Sequence, residues 1–97
     1  MKIRLHVVVE GTEEISDQLK LKLSKIQSKL SYSPSREQPN LLNCYEFFAT
    51  ADLSMEEIKN LKEQLNNDWE GEEDDCCAYG FNTKMYDPTM YYVQFQY

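Results

Sequence analysis

The stretch KIRLHVVVEG, residues 2–11, sets a pattern that the rest of the chain repeats. Its odd positions are apolar, and its even positions are polar or charged apart from Val8. The apolar set is Ile3, Leu5, Val7 and Val9, and the other set is Lys2, Arg4, His6, Val8 and Glu10. A period of two is typical of a β-strand that buries one face. We therefore predict a sheet with one buried face and one open face.

This strand leads directly into a helix. Thr12 is a suitable N-cap, and Glu13 and Glu14 follow it in the first turn, where carboxylates interact favourably with the helix dipole. Apolar residues then recur at helical spacing, namely Ile15, Leu19, Leu23, Ile26 and Leu30. The stripe predicts an amphipathic helix that packs on the strand.

The same arrangement occurs twice, in VVVEGTEEISDQL (7–19) and in FFATADLSMEEIKNL (47–61). Each segment passes from an apolar strand through a short turn to a hydroxyl cap, paired glutamates, an Ile and a Leu. The second cap is a capping box formed by Ser54 and Glu57. The second strand directs one set of side chains inward: Tyr45, Phe47, Ala49, Ala51 and Leu53. The second helix has its own stripe: Ile58, Leu61 and Leu65, extended by Trp69.

Shorter strands complete the predicted sheet. Residues 31–40 form a loop with a short edge strand around 30–33. Two further strands are expected within 76–86 and 90–97, separated by a turn at 87–89. In the last strand, one face carries Tyr91, Val93, Phe95 and Tyr97, and the other carries Tyr92, Gln94 and Gln96.

This order of elements predicts a single α+β domain over residues 1–97. The expected architecture is a ferredoxin-like βαββαβ sandwich with an extra C-terminal strand, in which both helices cover one face of a mostly antiparallel sheet. If residues 30–34 form only a loop, a βαβαββ sheet is the alternative.

The 97 residues carry a net charge of −7, which is unevenly distributed. Residues 1–40 hold seven Lys or Arg and five Asp or Glu, whereas residues 41–97 hold three Lys and twelve Asp or Glu. A phosphate-binding surface needs clustered basic residues. We therefore expect neither direct nucleic-acid binding nor docking to an anionic membrane.

Cysteine usage and the N-terminal sequence indicate a compartment. The chain has three cysteines, two of them adjacent, which is a poor basis for a disulfide framework. The N-terminus does not have the pattern of a signal peptide, and no stretch approaches transmembrane length. These features predict a cytoplasmic protein.

The most acidic segment is NNDWEGEEDDCC, residues 66–77, with six carboxylates and no basic residue. As a calcium loop it fails at the twelfth position, where Cys77 replaces the bidentate Glu. As a zinc site it lacks ligands, because His6 is the only histidine of the chain. We predict no metal or other cofactor and interpret the segment as a solvated turn between helix and strand, anchored by Trp69 and Cys77.

The sequence contains no catalytic signature. His6 is the only conventional base near neutral pH, and no nucleophile motif surrounds a serine. No carboxylate lies in an apolar run that would raise its pKa. Cys77 is expected to be a small buried residue that packs with Tyr79 and Phe81. We therefore predict that the protein is not an enzyme.

Two surfaces remain as candidates for binding a partner. One is formed by the carboxylates of residues 56–75, and the other is the open face of the sheet, where an apolar Phe48 is unusual. The residues expected to contact a partner are Asp68, Glu70, Glu72, Glu73, Asp74, Asp75, Glu56, Glu63, Phe48 and Tyr92.

Carboxylates that are spread over a helix and the loop after it can imitate the phosphates of a nucleic acid and attract a basic channel on another protein. In size, acidity and tyrosine content the chain resembles phage and mobile-element inhibitors of host defence nucleases, including some anti-CRISPR proteins. We predict such an inhibitor or decoy, directed at a nucleic-acid-handling defence protein such as a CRISPR effector and acting in the host cytoplasm if phage-encoded.

Two other functions fit the same sequence. One is a homo-oligomeric ferredoxin-like module, a homodimer in the simplest case, that pairs through its open face or edge strands and binds a small ligand or a protein. The other is an immunity protein that neutralises a basic toxin.

Overall fold

The computed structural model describes all 97 residues as seven strands and two helices. In chain order the elements are β1 (Lys2–Glu10), α1 (Glu13–Ile26), β2 (Ser31–Tyr32), β3 (Arg36–Glu37), β4 (Cys44–Asp52), α2 (Met55–Leu65), β5 (Glu70–Glu72), β6 (Asp75–Tyr79) and β7 (Met90–Gln96). All strands join one antiparallel sheet in the order β2–β4–β1–β7–β6–β5, and β3 also pairs with β4. The predicted α+β fold is thus confirmed.

Strands β2 and β3 form one interrupted edge strand along β4. Ser31 pairs with Thr50, and Arg36 pairs with Glu46. Between these pairs, the Ser33 hydroxyl accepts a hydrogen bond from the Phe48 backbone N–H at 2.8 Å. The edge strand predicted around residues 30–33 is therefore present, and the βαβαββ alternative is excluded.

The added element of the fold is not the C-terminal strand that the sequence predicted. Strand β7 ends the chain but lies beside β1 near the middle of the sheet, where the fourth strand of a βαββαβ unit belongs. The additional strands are β5 and β6, a hairpin inserted between α2 and β7.

The hairpin corrects the interpretation of residues 66–77 as a solvated turn. Glu70 pairs with Cys77 and Glu72 pairs with Asp75, which leaves Glu73 and Asp74 as a two-residue turn. Gly71 has a φ of 109°, and a Cβ there would lie 2.7 Å from the Asp75 carbonyl oxygen. Glu, Gly and Asp are all poor strand formers. The composition of residues 70–75 therefore does not predict β5, which forms because its backbone pairs with β6.

The strand expected within 76–86 ends at Tyr79, and turns follow it up to β7. A Cβ at Gly80 would lie 2.3 Å from the Met90 carbonyl oxygen, so the backbones approach too closely there for any other residue. The connection is tied to the helices by two contacts: Lys22 of α1 binds the buried Asp87, and the Tyr86 N–H donates to the Leu65 carbonyl at 2.9 Å.

The core lies between the helices and the inner face of the sheet. The inner residues of β1, Ile3, Leu5, Val7 and Val9, are at most 2% exposed, as the alternation predicted. They share one cluster of 19 buried residues with the apolar stripes of α1 and α2. One inward assignment is wrong. A register shift beside Val8 and Val9 makes Tyr91 a bulge, so that Met90, 2% exposed, takes the inner position instead.

The capping box of α2 is confirmed and depends on an ionised carboxylate. The Ser54 N–H donates to Glu57 Oε1 at 3.0 Å, and the Glu57 N–H donates to the Ser54 hydroxyl at 3.1 Å. The bond from the Ser54 backbone, with the ammonium of Lys29 2.9 Å from Oε2, lowers the pKa of Glu57 to about 2.

This capping box predicts a specific acid dependence. Since an unfolded Glu titrates near pH ~4.3, the stabilisation by ionised Glu57 is complete above that pH and is lost as the pH falls towards about 2. An NMR titration of the Glu57 carboxyl should have its midpoint at about pH 2. Glu57→Gln should remove the loss of stability that protonation of Glu57 causes in acid. Glu56→Gln, which alters a neighbour without a hydrogen bond, is the control. A Glu57 midpoint near ~4.3 would contradict the assignment.

Candidate functional site

The structure divides the ten residues predicted to contact a partner between two surfaces. We call the first the acidic end. It comprises eight carboxylates of α2, the hairpin and the connection between them: Glu56, Glu63, Asp68, Glu70, Glu72, Glu73, Asp74 and Asp75. Glu57 of α2 is not included, because it is paired with Lys29. Phe48 and Tyr92 belong to the second surface, which is the outer face of the sheet, opposite the helices. The pairing register places Glu70, Glu72 and Asp75 on that face too, so the two surfaces meet at β5 and β6.

A groove of about 730 Å³ lies between α2 and the hairpin. Its lining includes apolar surface from Ile58, Trp69 and Tyr97, and carboxylates from Glu56, Glu63 and Glu73. Two lysines of α2, Lys59 and Lys62, also border it. The sequence did not predict this groove, because it depends on a hairpin that the sequence did not reveal.

Lys62 lies at the centre of the acidic end but does not pair with any carboxylate. Its ammonium donates to the backbone carbonyl of Glu73 at 2.8 Å. It also lies 5.8 Å from the ring centroids of Phe95 and Tyr97 and 6.0 Å from that of Trp69. The charge of Lys62 is thus directed at the hairpin backbone and at three aromatic rings.

None of the eight carboxylates of the acidic end forms an ion pair. Asp75 accepts hydrogen bonds only from the neutral amides of Gln94 and Gln96, at 3.2 and 3.3 Å. Elsewhere in the chain Asp17, Glu46, Asp52, Glu57 and Asp87 all have cationic partners. The carboxylates of the acidic end therefore have no cationic partner within the molecule, although Lys59 and Lys62 border the same groove.

Backbone and indole contacts hold the hairpin in place. The Trp69 indole N–H donates to the carbonyls of Asn66, at 2.6 Å, and Lys62, at 3.2 Å. The Tyr97 N–H donates to the Asp74 carbonyl at 3.0 Å. Trp69 anchors the start of the hairpin, as expected. The second anchor is Cys76, 3% exposed in the core, and not Cys77, which lies half-buried on the outer face.

The outer face carries a continuous row of rings that we call the aromatic band. Successive ring centroids lie 5.3 Å apart for Phe81 and Tyr79, 4.9 Å for Tyr79 and Tyr92, 5.9 Å for Tyr92 and His6, and 4.6 Å for His6 and Phe48. The Arg4 guanidinium lies 4.4 Å above the Phe48 ring. Phe81 is an exposed end of this row and not a buried neighbour of Cys77.

Glu46 lies beside the band, on the outer face of β4, and is only 2% exposed. It is bound by His6 Nε2 at 2.8 Å, Arg36 Nε at 2.6 Å and Gln38 Nε2 at 2.9 Å. Burial by itself would raise the pKa of Glu46, but the bonds and charges of His6 and Arg36 outweigh burial and hold the pKa below its usual value. The bond to Glu46 is also the only hydrogen bond of the His6 ring, so no hydroxyl or thiol pairs with this imidazole.

The sequence placed His6 and Glu46 on the open face without indicating that they meet. The pairing of β1 with β4 sets His6 opposite Phe48 and Val8 opposite Glu46, and this register depends on contacts across the sheet.

No group of three or more His, Cys, Asp or Glu side chains is arranged to hold a metal ion. Neither helix combines the length and apolar character needed to cross a membrane. No protein-family model, curated protein or solved structure matches the chain. The site is therefore interpreted from its own chemistry.

The contacts of Lys62 predict that this residue orders the hairpin. Lys62→Met keeps the aliphatic length but removes a charged hydrogen bond and three cation–π contacts. We expect a loss of about 1–2 kcal/mol in the free energy of unfolding, with faster amide exchange in the hairpin. Lys59→Met, one turn away and without a hydrogen bond, is the matched control. Equal exchange rates in both variants would contradict this role.

The network around Glu46 predicts a pH-dependent contribution to stability. Glu46→Gln is expected to cost about 1–3 kcal/mol at neutral pH, since Arg36 and His6 lose the buried carboxylate that they bind. Because the folded pKa is lowered, the stabilisation is complete above the unfolded value of ~4.3 and is lost as the pH falls through the folded value. Denaturation of wild type and variant should therefore converge in acid. Glu37→Gln, at an exposed site on β3, should match wild type throughout, and a constant difference for Glu46→Gln would refute the electrostatic explanation.

Proposed function

We propose that the protein is a non-enzymatic inhibitor that docks its acidic end on the basic surface of another protein. The observation that carries this proposal is the set of eight carboxylates without an ion pair, three of which, Glu56, Glu63 and Glu73, line the groove between α2 and the hairpin. A surface whose carboxylates have no cationic partners has a stronger negative electrostatic potential, which steers a positively charged partner towards it.

The position of Lys62 supports the proposal. A lysine in the middle of eight carboxylates would ordinarily neutralise some of them, but this one is bound to the Glu73 carbonyl. The bond fixes the hairpin turn and leaves the carboxylates free for a cation from outside. A preorganised surface loses less side-chain freedom when it binds, which favours affinity.

The groove adds an apolar contact to the charge. Trp69 and Tyr97 present ring surface inside a rim formed by Glu56, Glu63 and Glu73. An arginine side chain suits the rim of this groove, because its N–H groups bind carboxylates in a fixed planar geometry. Arginine is also the residue that basic proteins most use against phosphate.

These features favour a partner that handles nucleic acid. The carboxylates of Glu56, Glu63 and Glu73 on the groove rim offer several negative charges to basic residues that otherwise bind the phosphates of a nucleic acid. A defence nuclease such as a CRISPR effector has a basic channel of the required kind. Direct binding of nucleic acid by this chain is opposed by its own charge.

The same surface also fits a basic toxin, in which case the protein is an immunity protein. The two functions share the acidic end and differ in the partner. All three cysteines are free, and a cytoplasmic site of action, in the host if the gene is carried by a phage, fits unpaired thiols.

Charge reversal tests the proposal. In the variant Glu63→Lys, Glu73→Lys, Asp74→Lys the groove rim and hairpin turn become basic. The matched control, Glu10→Lys, Glu14→Lys, Glu37→Lys, changes the net charge equally at exposed sites outside the acidic end. Partners captured from the native host by wild type are identified by mass spectrometry, purified, and assayed for nucleic-acid binding with each protein added.

We expect wild type and the control to displace nucleic acid from the partner and the acidic-end variant to be at least about tenfold weaker, since close charge pairs at interfaces contribute more than about 1.4 kcal/mol. Displacement should weaken as salt is raised. A captured partner that binds nucleic acid equally well with and without wild type would disprove the decoy function. Equal loss in both variants would show that net charge, and not the acidic end, is responsible.

A further inference from the structure

The outer face of the sheet has opposite charges on its two halves. Glu70, Glu72 and Asp75 lie on β5 and β6 at one side, and Lys2 and Arg4 lie on β1 towards the other. Two of the three remaining acids of the second half already have cationic partners, and the third lies apart from Lys2 and Arg4. Asp52 binds the N-terminal ammonium at 2.7 Å, Glu46 binds Arg36 and His6, and Glu10 lies at the far end of β1.

One row of paired residues shows this asymmetry directly. Crossing the sheet from β5 to β2, the row reads Glu72, Asp75, Gln96, Arg4, Thr50 and Ser31. The Arg4 side chain extends from β1 towards β4, away from Glu72 and Asp75, because its guanidinium lies over the Phe48 ring. In reverse, the row sets Glu72 and Asp75 of one copy against Ser31 and Thr50 of the other. The Arg4 guanidinium extends onto β4 and therefore lies next to the position that Asp75 takes.

We propose that two copies of the chain pack their outer faces together about a two-fold axis that runs parallel to the strands. This axis exchanges the two sides of the sheet, so that Arg4 of each copy meets Asp75 of the other and the aromatic bands pack between them. An axis perpendicular to the strands would instead set the carboxylates of β5 and β6 against their own copies. Only the first arrangement gives complementary charges in an isologous dimer.

The face is large enough for such a dimer. The seven strands hold 37 residues, and at about 4.8 Å by about 3.3 Å for each residue they cover roughly 590 Å² in projection. This area approaches the surface of about 800 Å² that each partner buries in a standard interface. Sheets packed face to face are common in β-sandwiches.

The composition of the face matches an interface as well. Phe48, Tyr79 and Tyr92 are half-buried in the single chain, and tyrosine and phenylalanine are enriched in interface cores. Gln94 and Gln96 supply neutral hydrogen-bonding groups between the rings. The groove and the hairpin turn lie outside this face, so the dimer does not depend on the proposed inhibitory function.

Sedimentation equilibrium over a concentration series tests the dimer. Wild type should approach twice the chain mass of 11.5 kDa. Phe48→Asp should raise the dimer dissociation constant by at least about 100-fold, because the buried ring occurs twice in the interface. Leu42→Asp is the control, since Leu42 is 93% exposed in the loop before β4 and lies outside the proposed interface. Circular dichroism should show that all variants remain folded.

A charge exchange tests the axis. Arg4→Asp and Asp75→Arg should each weaken the dimer by about tenfold or more, since each creates two like-charge contacts. The double variant restores both pairs and should recover dimerisation to within a fewfold of wild type. A double variant that does not recover dimerisation would refute the proposed axis. A wild type that stays monomeric would refute the dimer and leave the face to a different partner, and a Phe48→Asp variant that still dimerises would refute the interface.

Discussion

The pairing of β1 on both sides is the constraint on which the rest of the structure depends. The strand has β4 on one side and β7 on the other, and its inner residues are at most 2% exposed. A shift of one residue would turn that apolar row towards solvent, so the register is firmly fixed. The same register determines the outer face, where it brings His6 between Phe48 and Tyr92 and sets Arg4 in line with Asp75.

Local patterns in the sequence predicted the elements that such patterns control. Both helices, the capping box at Ser54 and the inner faces of β1 and β4 follow from the spacing of side chains along the chain. The acidic hairpin could not be predicted in this way. Its residues are poor strand formers, and β5 exists because Gly71 permits a positive φ and because β6 is already paired with β7. The role of Lys62 in ordering the hairpin could not be predicted either, because it depends on a hydrogen bond to the carbonyl of Glu73, eleven residues away.

The carboxylates of β5 also have a structural effect. This strand is an edge of the sheet, with backbone groups that could pair with another chain, and charged side chains discourage such pairing. The opposite edge is protected differently, by Pro34 and by the interruption between β2 and β3. Edge protection requires charges on β5, but it does not require Glu56, Glu63 and Glu73 around an apolar groove. Edge protection therefore does not explain these three carboxylates, and they are the reason to propose a binding surface at the groove.

The two proposed surfaces are compatible because the hairpin has two sides. Asp75 projects to the outer face, whereas Glu73 borders the groove on the side of α2. In a dimer whose axis runs along the strands, the two hairpins lie at opposite edges of the assembly, and both grooves remain open. Such a dimer presents two grooves with their carboxylate rims, Glu56, Glu63 and Glu73, facing away from one another, whereas Glu70, Glu72 and Asp75 lie at its interface. A partner with repeated basic sites would then bind with increased avidity, since the second contact is intramolecular once the first has formed. Dimerisation would in this way strengthen inhibition through the groove without adding any contact to its rim.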